Sequence, residues 1–399
     1  MKRRVGTIVR GIRTPIIKQG DNLADIVVSS VLEAAKEENF LLGNRDVIAI
    51  TESVVGMADG DYVTVDDIAN DIKKKFPDGE IGVVFPILSR NRFALCLKGM
   101  ARGTKKIFML LSYPADEVGN HLFTEDDLDK HHINPWSDII SEEKYDQLFG
   151  QNTHIFTGIN YVDLYRSIIE AENCQVTFIF ANNPRVILDY TKNIIVSSIH
   201  SRQRIKRILK GNNANNVYGL DDILNKPTKK HAYNCDYGLL GSNKATEEKL
   251  KLFPTNGNKL VHTVQKKIHE ITGKKVEVMV YGDGAFKDPV GGIWELADPV
   301  VSPAYTSGLE GVPNEIKLKY MADNKYANLT GEQLQQAIKK EIITKESNLK
   351  GQMETQGTTP RRLTDLIGSL CDLTSGSGDK GTPVVLVQGY FDNYADETS

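Results

Sequence analysis

Residues 276–299 read VEVMVYGDGAFKDPVGGIWELADP. An apolar run stops at Gly-Asp-Gly, and an acidic, glycine-rich stretch follows. Asp-Gly and Gly-Gly are preferred hairpin dipeptides, so the segment suits a tight turn. It also suits a corner that holds metal and phosphate at the end of a strand. There Asp283 supplies a hard anionic oxygen, and Mg²⁺ takes one or two carboxylates together with phosphate oxygens. Gly282 and Gly284 let phosphate and metal approach the backbone closely. Lys287 would balance phosphate charge, and Glu295 adds a second carboxylate, which makes Asp283 and Glu295 candidate metal ligands.

Other segments carry candidates of their own. In SRNRF at 89–93, Arg90 and Arg92 could grip a phosphate or carboxylate bidentately, or they could be solvated loop arginines. In LSYPADEVGNH at 111–121, Asp116, Glu117, Asn120 and His121 either line the carboxyl edge of a parallel sheet or form an ordinary loop. TSGSGDKGTP at 374–383 is either a phosphate cradle of backbone N–H groups or a helix-to-strand connector. The basic SRQRIKRILK at 201–210 reads first as a solvated helix face. Neither GxGxxG nor GxxxxGK[ST] occurs, so no dinucleotide fingerprint or P-loop is signalled.

The elements that must position these residues are legible in outline. Strand-like stretches RVGTIV and DVIAIT flank an N-terminal helix, with Asp21 the expected cap and Leu23, Ile26, Val27, Val31 and Leu32 on one face. From 76 to 225, IGVVFPI, KKIFMLLSYP, HIFTGI, VTFIFA and NIIVSSI read as strands. The helices VDLYRSIIEAE and SRQRIKRILK lie among and after them, a pattern that predicts a largely parallel sheet. Beyond 226, the helix KLVHTVQKKIHEITG ends on Gly273, and VEVMVY follows as a strand. Near the C-terminus, a helix carrying LTDLIGSLCDL precedes the strand VVLVQG. Three parts are expected: 1–75, an α/β unit at 76–225, and 226–399.

Bulk composition narrows the class. With 399 residues, 40% hydrophobic and 25% charged, the chain has material for more than one globular domain. A formal charge of −3 supplies no general field for nucleic acid. No apolar run is long enough to span a bilayer, and the basic N-terminus lacks a secretory h-region. Cysteines 96, 174, 235 and 371 are far apart, with no CxxC pair, which favours a reduced, cytoplasmic setting over a zinc site or disulfide framework.

The order YGLLGSN (237–243), helix, strand, GDGAFKDPVGGIWELA resembles the γ-glutamyl ligase family that adds glutamate to the deazaflavin coenzyme F-420. In that family a Gly-x-Asp-x-Ser-Asn loop precedes a helix, a strand and a Ser-Asp-Thr-Phe-Gly-Arg-Pro stretch. Asp283 falls on the motif aspartate, Lys287 on the arginine, Gly292 on the later glycine and Glu295 on the later aspartate. Ser242 and Asn243 match the Ser-Asn pair. GIRTPIIKQGDNLADIV, DVIAITESVVGMADGD and DLTSGSGDKGTPVVLVQG are similar to the family's opening loop and helix, second strand and turn, and closing helix, loop and strand. The likeness covers about 1–65 and 231–399 and leaves 76–225 as an insert. It implies an α+β, two-part ligase-like fold with an inserted, mainly parallel α/β domain.

The resemblance also implies a chemistry. GTP or ATP phosphorylates a substrate carboxylate, and the amine of L-glutamate displaces the phosphate to form an amide. A divalent metal, Mg or Mn, neutralises phosphate charge. Asp283 would be a metal ligand, Glu295 a second ligand or a base, and Lys287 would stabilise the transferred phosphate. Ser242, Asn243, Gly284, Arg90 and Arg92 would hold nucleotide or substrate. The acceptor would be coenzyme F-420, a folate-like molecule or another small carboxylate, and the enzyme a homodimer with no nucleic-acid or membrane partner. The sequence departs from the family at several points. The loop aspartate is Leu240, with Asp236 a nearby alternative; two lysines are Ser53 and Met57; the motif threonine is Gly284; a late arginine is Gln388. These departures keep a second reading open, a catalytically silent binding or regulatory protein on the same scaffold.

Overall fold

A computed structural model describes residues 5–226, 233–283, 298–358, 361–375 and 378–396. Its strands are β1 (Ile8–Ile12), β2 (Val47–Thr51), β3 (Tyr62–Thr64), β4 (Glu80–Val84), β5 (Lys106–Leu111), β6 (Ile140–Ser141) and β7 (Gln175–Phe180), followed by β8 (Asn193–Val196), β9 (Asn216–Gly219), β10 (Asn243–Lys244), β11 (Lys249–Lys251), β12 (Glu277–Tyr281), β13 (Ala304–Tyr305) and β14 (Val384–Gln388). They build three sheets among the described residues.

The first sheet has the order β1-β14-β2-β12-β13, with β2 and β12 parallel and the other pairs antiparallel. Its central strands β2 and β12 are apolar through their interiors, from Val47 to Ile50 and from Val278 to Tyr281, because both faces are covered. Ile48, Ile50, Val278 and Val280 meet helices Leu23–Glu37 and Gly257–Thr272. Val47, Ala49, Met279 and Tyr281 face helix Leu363–Ser375 on the other side. Register fixes which loops share an edge. Thr51 lies opposite Tyr281, and Ile50 and Ile12 both lie opposite Val384. The loops after β1, β2 and β12 therefore gather at one end with the loop before β14. Thr51 N–H donates to Pro383 O (3.0 Å), and Thr14 N–H to Gly381 O (3.3 Å).

The second sheet has the order β6-β7-β5-β4-β8-β9 and is parallel except for β6. This is the mixed α+β architecture with a mainly parallel α/β unit that the sequence pattern predicts. Successive strands step outward from β4 in one direction and from β8 in the other. The crevice between the carboxyl ends of β4 and β8 is the topological switch point. The third sheet, β10-β11-β3, stitches the first two together. A large apolar core joins the α/β unit to the third sheet. It joins helices Val65–Lys75, Phe93–Gly103 and Tyr161–Ala171 to Leu239, Leu240, Leu250 and Leu252. At Gly99 a Cβ would lie 2.6 Å from Ile68 Cβ, so glycine sets the close approach of the first two helices.

Two local expectations need correction. HIFTGI at 154–159 forms no strand; His154 N–H closes a turn onto Ile159 O (2.9 Å), and the run is too short and too exposed at Ile155 and Phe156 to enter the sheet. The first helix is capped by Asn22, whose side chain accepts from Asp25 N–H, while Asp21 accepts from Lys18 N–H in the preceding turn. Gly273 does end its helix in the left-handed region, at φ 69°.

Candidate functional site

β12 runs out at Tyr281, and its antiparallel partner is β13, more than twenty residues on. Among the described residues β12 therefore has no hairpin partner directly after Asp283. The chain instead folds onto Asp298. Gly282 N–H donates to Val301 O (2.8 Å), and Asp283 N–H donates to Asp298 Oδ2 (2.7 Å). A Cβ at Gly282 would sit 1.9 Å from Asp298 Oδ2, so only glycine allows this approach. Gly284, Lys287, Gly292 and Glu295 lie outside the described residues.

Arg92 reaches the corner from the α/β unit. It is the N-terminal flanking residue of helix Phe93–Gly103, at the end of the loop that follows β4. Its Nη1 lies 2.6 Å from Asp298 Oδ1 and its Nη2 2.5 Å from Asp283 Oδ2. Asp298 is 1% exposed at its side chain and Arg92 14%. Burial pulls the Arg92 pKa down, but Asp298, Asp283 and Glu52 together hold it above its ordinary value. Arg90 is exposed; of the two arginines, Arg92 grips carboxylates.

A second ion pair lies beside the first. Glu52 opens helix Glu52–Asp59 directly after β2, and its Oε1 is 3.2 Å from Lys251 Nζ on β11. Both are buried. Burial raises the Glu52 pKa; Lys251 opposes this, Asp298 adds to it, and Arg92 opposes it. The Lys251 stem runs over Gly56, where a Cβ would meet Leu252 O at 3.1 Å. The described cluster thus sets three carboxylates against two cations, and buried charges persist only when so paired.

Ser242 is buried, with its Oγ 3.3 Å from Cys96 Sγ. Burial pushes the Cys96 thiol up to about 11. Asn243 opens β10, and its Oδ1 accepts from Lys244 N–H (2.9 Å). Lys244 N–H also donates to Asn91 O (2.6 Å), which ties the Ser-Asn segment to the loop of Arg92. A small cavity of about 20 Å³ lies between them, lined by Ile87, Arg92, Phe93, Ser197, Leu240 and Ser242 among others. Ser197 Oγ is buried without a hydrogen-bond partner. Leu240, matched to the family's loop aspartate, is an apolar wall of this cavity, and Asp236 is exposed. Asp298 is the second carboxylate at the described corner.

Other candidates resolve into structural work. Asp116 accepts from Leu88, Val118 and Asn120 N–H and from Asn120 Nδ2, and Glu117 accepts from Ile199, His200 and Ser201 N–H. These carboxylates hold loops at the carboxyl edge of the parallel sheet. Gln388 lies at the far end of β14 from the corner, donating to Asp46 Oδ2 (2.6 Å) and accepting from Arg10 Nη1 (2.7 Å). Helix Arg202–Lys210 buries Ile205 and Leu209 and pairs Arg202 with Asp221 and Lys206 with Asp222.

The family model described as F420-0:Gamma-glutamyl ligase matches residues 11–389. The chain belongs to this family. The family is one of amide-bond ligases, and the matched span runs through 76–225, which the motif-level likeness leaves as an insert. No curated protein matches the chain. Among the described residues no helix is long and apolar enough to cross a membrane.

The family implies a divalent metal, and the corner's donors can be tested against it. Asp283 and Asp298 present hard oxygens to one cationic group, the donor chemistry that Mg²⁺ or Mn²⁺ accepts alongside phosphate oxygens. Among the described residues no three His, Cys, Asp or Glu side chains converge as a complete site. The described residues would therefore supply two carboxylates.

Proposed function

We propose that the protein joins an amino acid, L-glutamate, to a carboxylate-bearing cofactor or metabolite through an acyl phosphate, using GTP or ATP. A carboxylate oxygen of the acceptor attacks the γ-phosphorus and the nucleoside diphosphate leaves. The glutamate amine then attacks the acyl carbon, phosphate leaves, and a proton is lost as the amide forms. The observation that carries this reading is the convergence of Asp283 and Asp298 at the end of β12, where glycine lets the backbone close to contact distance.

Asp283 and Asp298 would hold the divalent ion, with Glu295 a further candidate. The bound ion would neutralise charge on the phosphates during transfer. Lys287 would add positive charge, Arg92 would grip phosphate bidentately, and Ser242, Asn243, Gly284 and Arg90 would orient nucleotide or substrate. Glutamate- and metal-dependent release of phosphate from GTP or ATP, in the presence of candidate acceptors, tests the reading. Asp283→Asn should abolish turnover while the fold remains, and full activity in that variant would overturn the site assignment.

A second reading has its own observation. Arg92 already fills the place between the two carboxylates, and Leu240 stands where the family has an aspartate. A silent binding protein on this scaffold would bind nucleotide or acceptor without glutamate-dependent turnover.

A further inference from the structure

Arg92 stands at the junction of two environments. On one side its two Nη atoms engage Asp283 and Asp298; on the other it forms part of the wall of the cavity that holds the unpartnered Ser197 hydroxyl. It is carried by a different sheet from the carboxylates it grips, 191 and 206 residues away in the chain. It is the residue between the loop after β4 and the first turn of helix Phe93–Gly103.

We propose that the Arg92 guanidinium and a divalent cation compete for one place between Asp283 and Asp298, and that Arg92 is the resting occupant which a phosphate-bearing ligand draws away. The inference deepens the ligase reading and rests on it for the identity of that ligand.

Charge balance supports exchange rather than simple departure. Removing Arg92 alone would leave three described carboxylates facing Lys251, a costly buried imbalance. Replacing its single positive charge with a divalent ion would bring the described groups to neutrality. A triphosphate supplies what the guanidinium needs in return, since arginine and phosphate form paired charge-assisted hydrogen bonds. Metal loading would in this way be coupled to the arrival of nucleotide, and the α/β unit would control the corner through one side chain.

The test is direct measurement of Mn²⁺ binding by the EPR signal of the free ion, on the full chain, with and without the β,γ-imido analogues of ATP and GTP. Without nucleotide, Arg92→Met should bind Mn²⁺ at least tenfold more tightly than wild type. Arg92→Lys, which keeps the charge and loses the fork, should fall between them. Asp283→Asn in the Arg92→Met background should lose the gain, which locates the ion. The analogue should tighten Mn²⁺ binding in wild type and change it little in Arg92→Met. Equal Mn²⁺ affinity in nucleotide-free wild type, Arg92→Lys and Arg92→Met would overturn the competition. An analogue effect of equal size in wild type and Arg92→Met would overturn release by phosphate. Mn²⁺ competition with no catalytic turnover would instead count against the ligase reading and leave the competition intact, so the two failures are distinguishable.

Discussion

Replacing Asp298 with asparagine isolates the contact that joins the α/β unit to the strand-end corner. Among the described residues Asp298 makes two side-chain bonds: Oδ1 accepts from Arg92 Nη1 at 2.6 Å, and Oδ2 accepts from Asp283 N–H at 2.7 Å. Its side chain is 1% exposed, so solvent cannot substitute for either partner. Asparagine keeps one acceptor oxygen and can retain one of these bonds. The amide N–H₂ then faces a donor, and Arg92 is left with Asp283 as its sole described carboxylate at hydrogen-bond distance. Breaking a buried pair costs about 3–5 kcal/mol, and the surviving Asp283 contact places this case at the low end, about 3 kcal/mol. At about 2 °C per kcal/mol for a chain of this size, the melting temperature should fall by about 6 °C. The decisive assay is a double-mutant cycle by calorimetry with Arg92→Met. If the pair is the cause, Asp298→Asn should cost less than about 1 kcal/mol once Arg92 is gone, a coupling of about 2 kcal/mol. Moderate salt should leave the coupling nearly unchanged, since buried pairs are poorly screened. Additive losses in the two backgrounds would refute the argument that this ion pair fastens the two sheets together.

Lys251→Met should destabilise by about 3–5 kcal/mol, because it strands the buried Glu52 carboxylate, and adding Glu52→Gln should recover most of the loss; chemical denaturation of the three proteins checks both steps. Asp61 accepts from Thr255 N–H (3.0 Å), and burial raises its pKa to about 6. The folded state thus holds this proton more tightly than the unfolded chain does. The associated stability is fully present below about pH 4 and is lost as pH rises through about 6, a swing of about 3 kcal/mol. Asp61→Asn should remove that swing, so the difference in melting temperature between variant and wild type should shift in the variant's favour from pH 4 to pH 7. An unchanged difference would show that Asp61 does not titrate in this window.

Much of the scaffold is visible in the chain because it is written locally. Alternating strand and helix patterns over 76–225 give the parallel sheet, and the unbroken apolar runs Val47–Ile50 in β2 and Val278–Tyr281 in β12 announce strands covered on both faces. Failures occur where tertiary context decides. HIFTGI has strand-like residues, yet it lies in a loop outside the sheet. KLKLF invites reading Lys251 as a solvent-facing strand residue, and the structure buries it against Glu52, which arrives from another sheet. Asp298 sits in an unremarkable LADP, and its role depends on Gly282 and on Arg92 two hundred residues earlier. Arg92 was legible as an anion-gripping candidate, but its partners were not, since no local pattern encodes a contact between two sheets. Asp283 was legible because glycines flank a carboxylate directly after an apolar run, a signal of close backbone approach.

The most direct test of the proposed activity is equilibrium binding of GTP and ATP to the purified protein, with and without Mg²⁺ or Mn²⁺, repeated with Asp283→Asn. The account predicts metal-enhanced nucleotide binding in wild type that Asp283→Asn loses. Absence of nucleotide binding in wild type under every condition would contradict it.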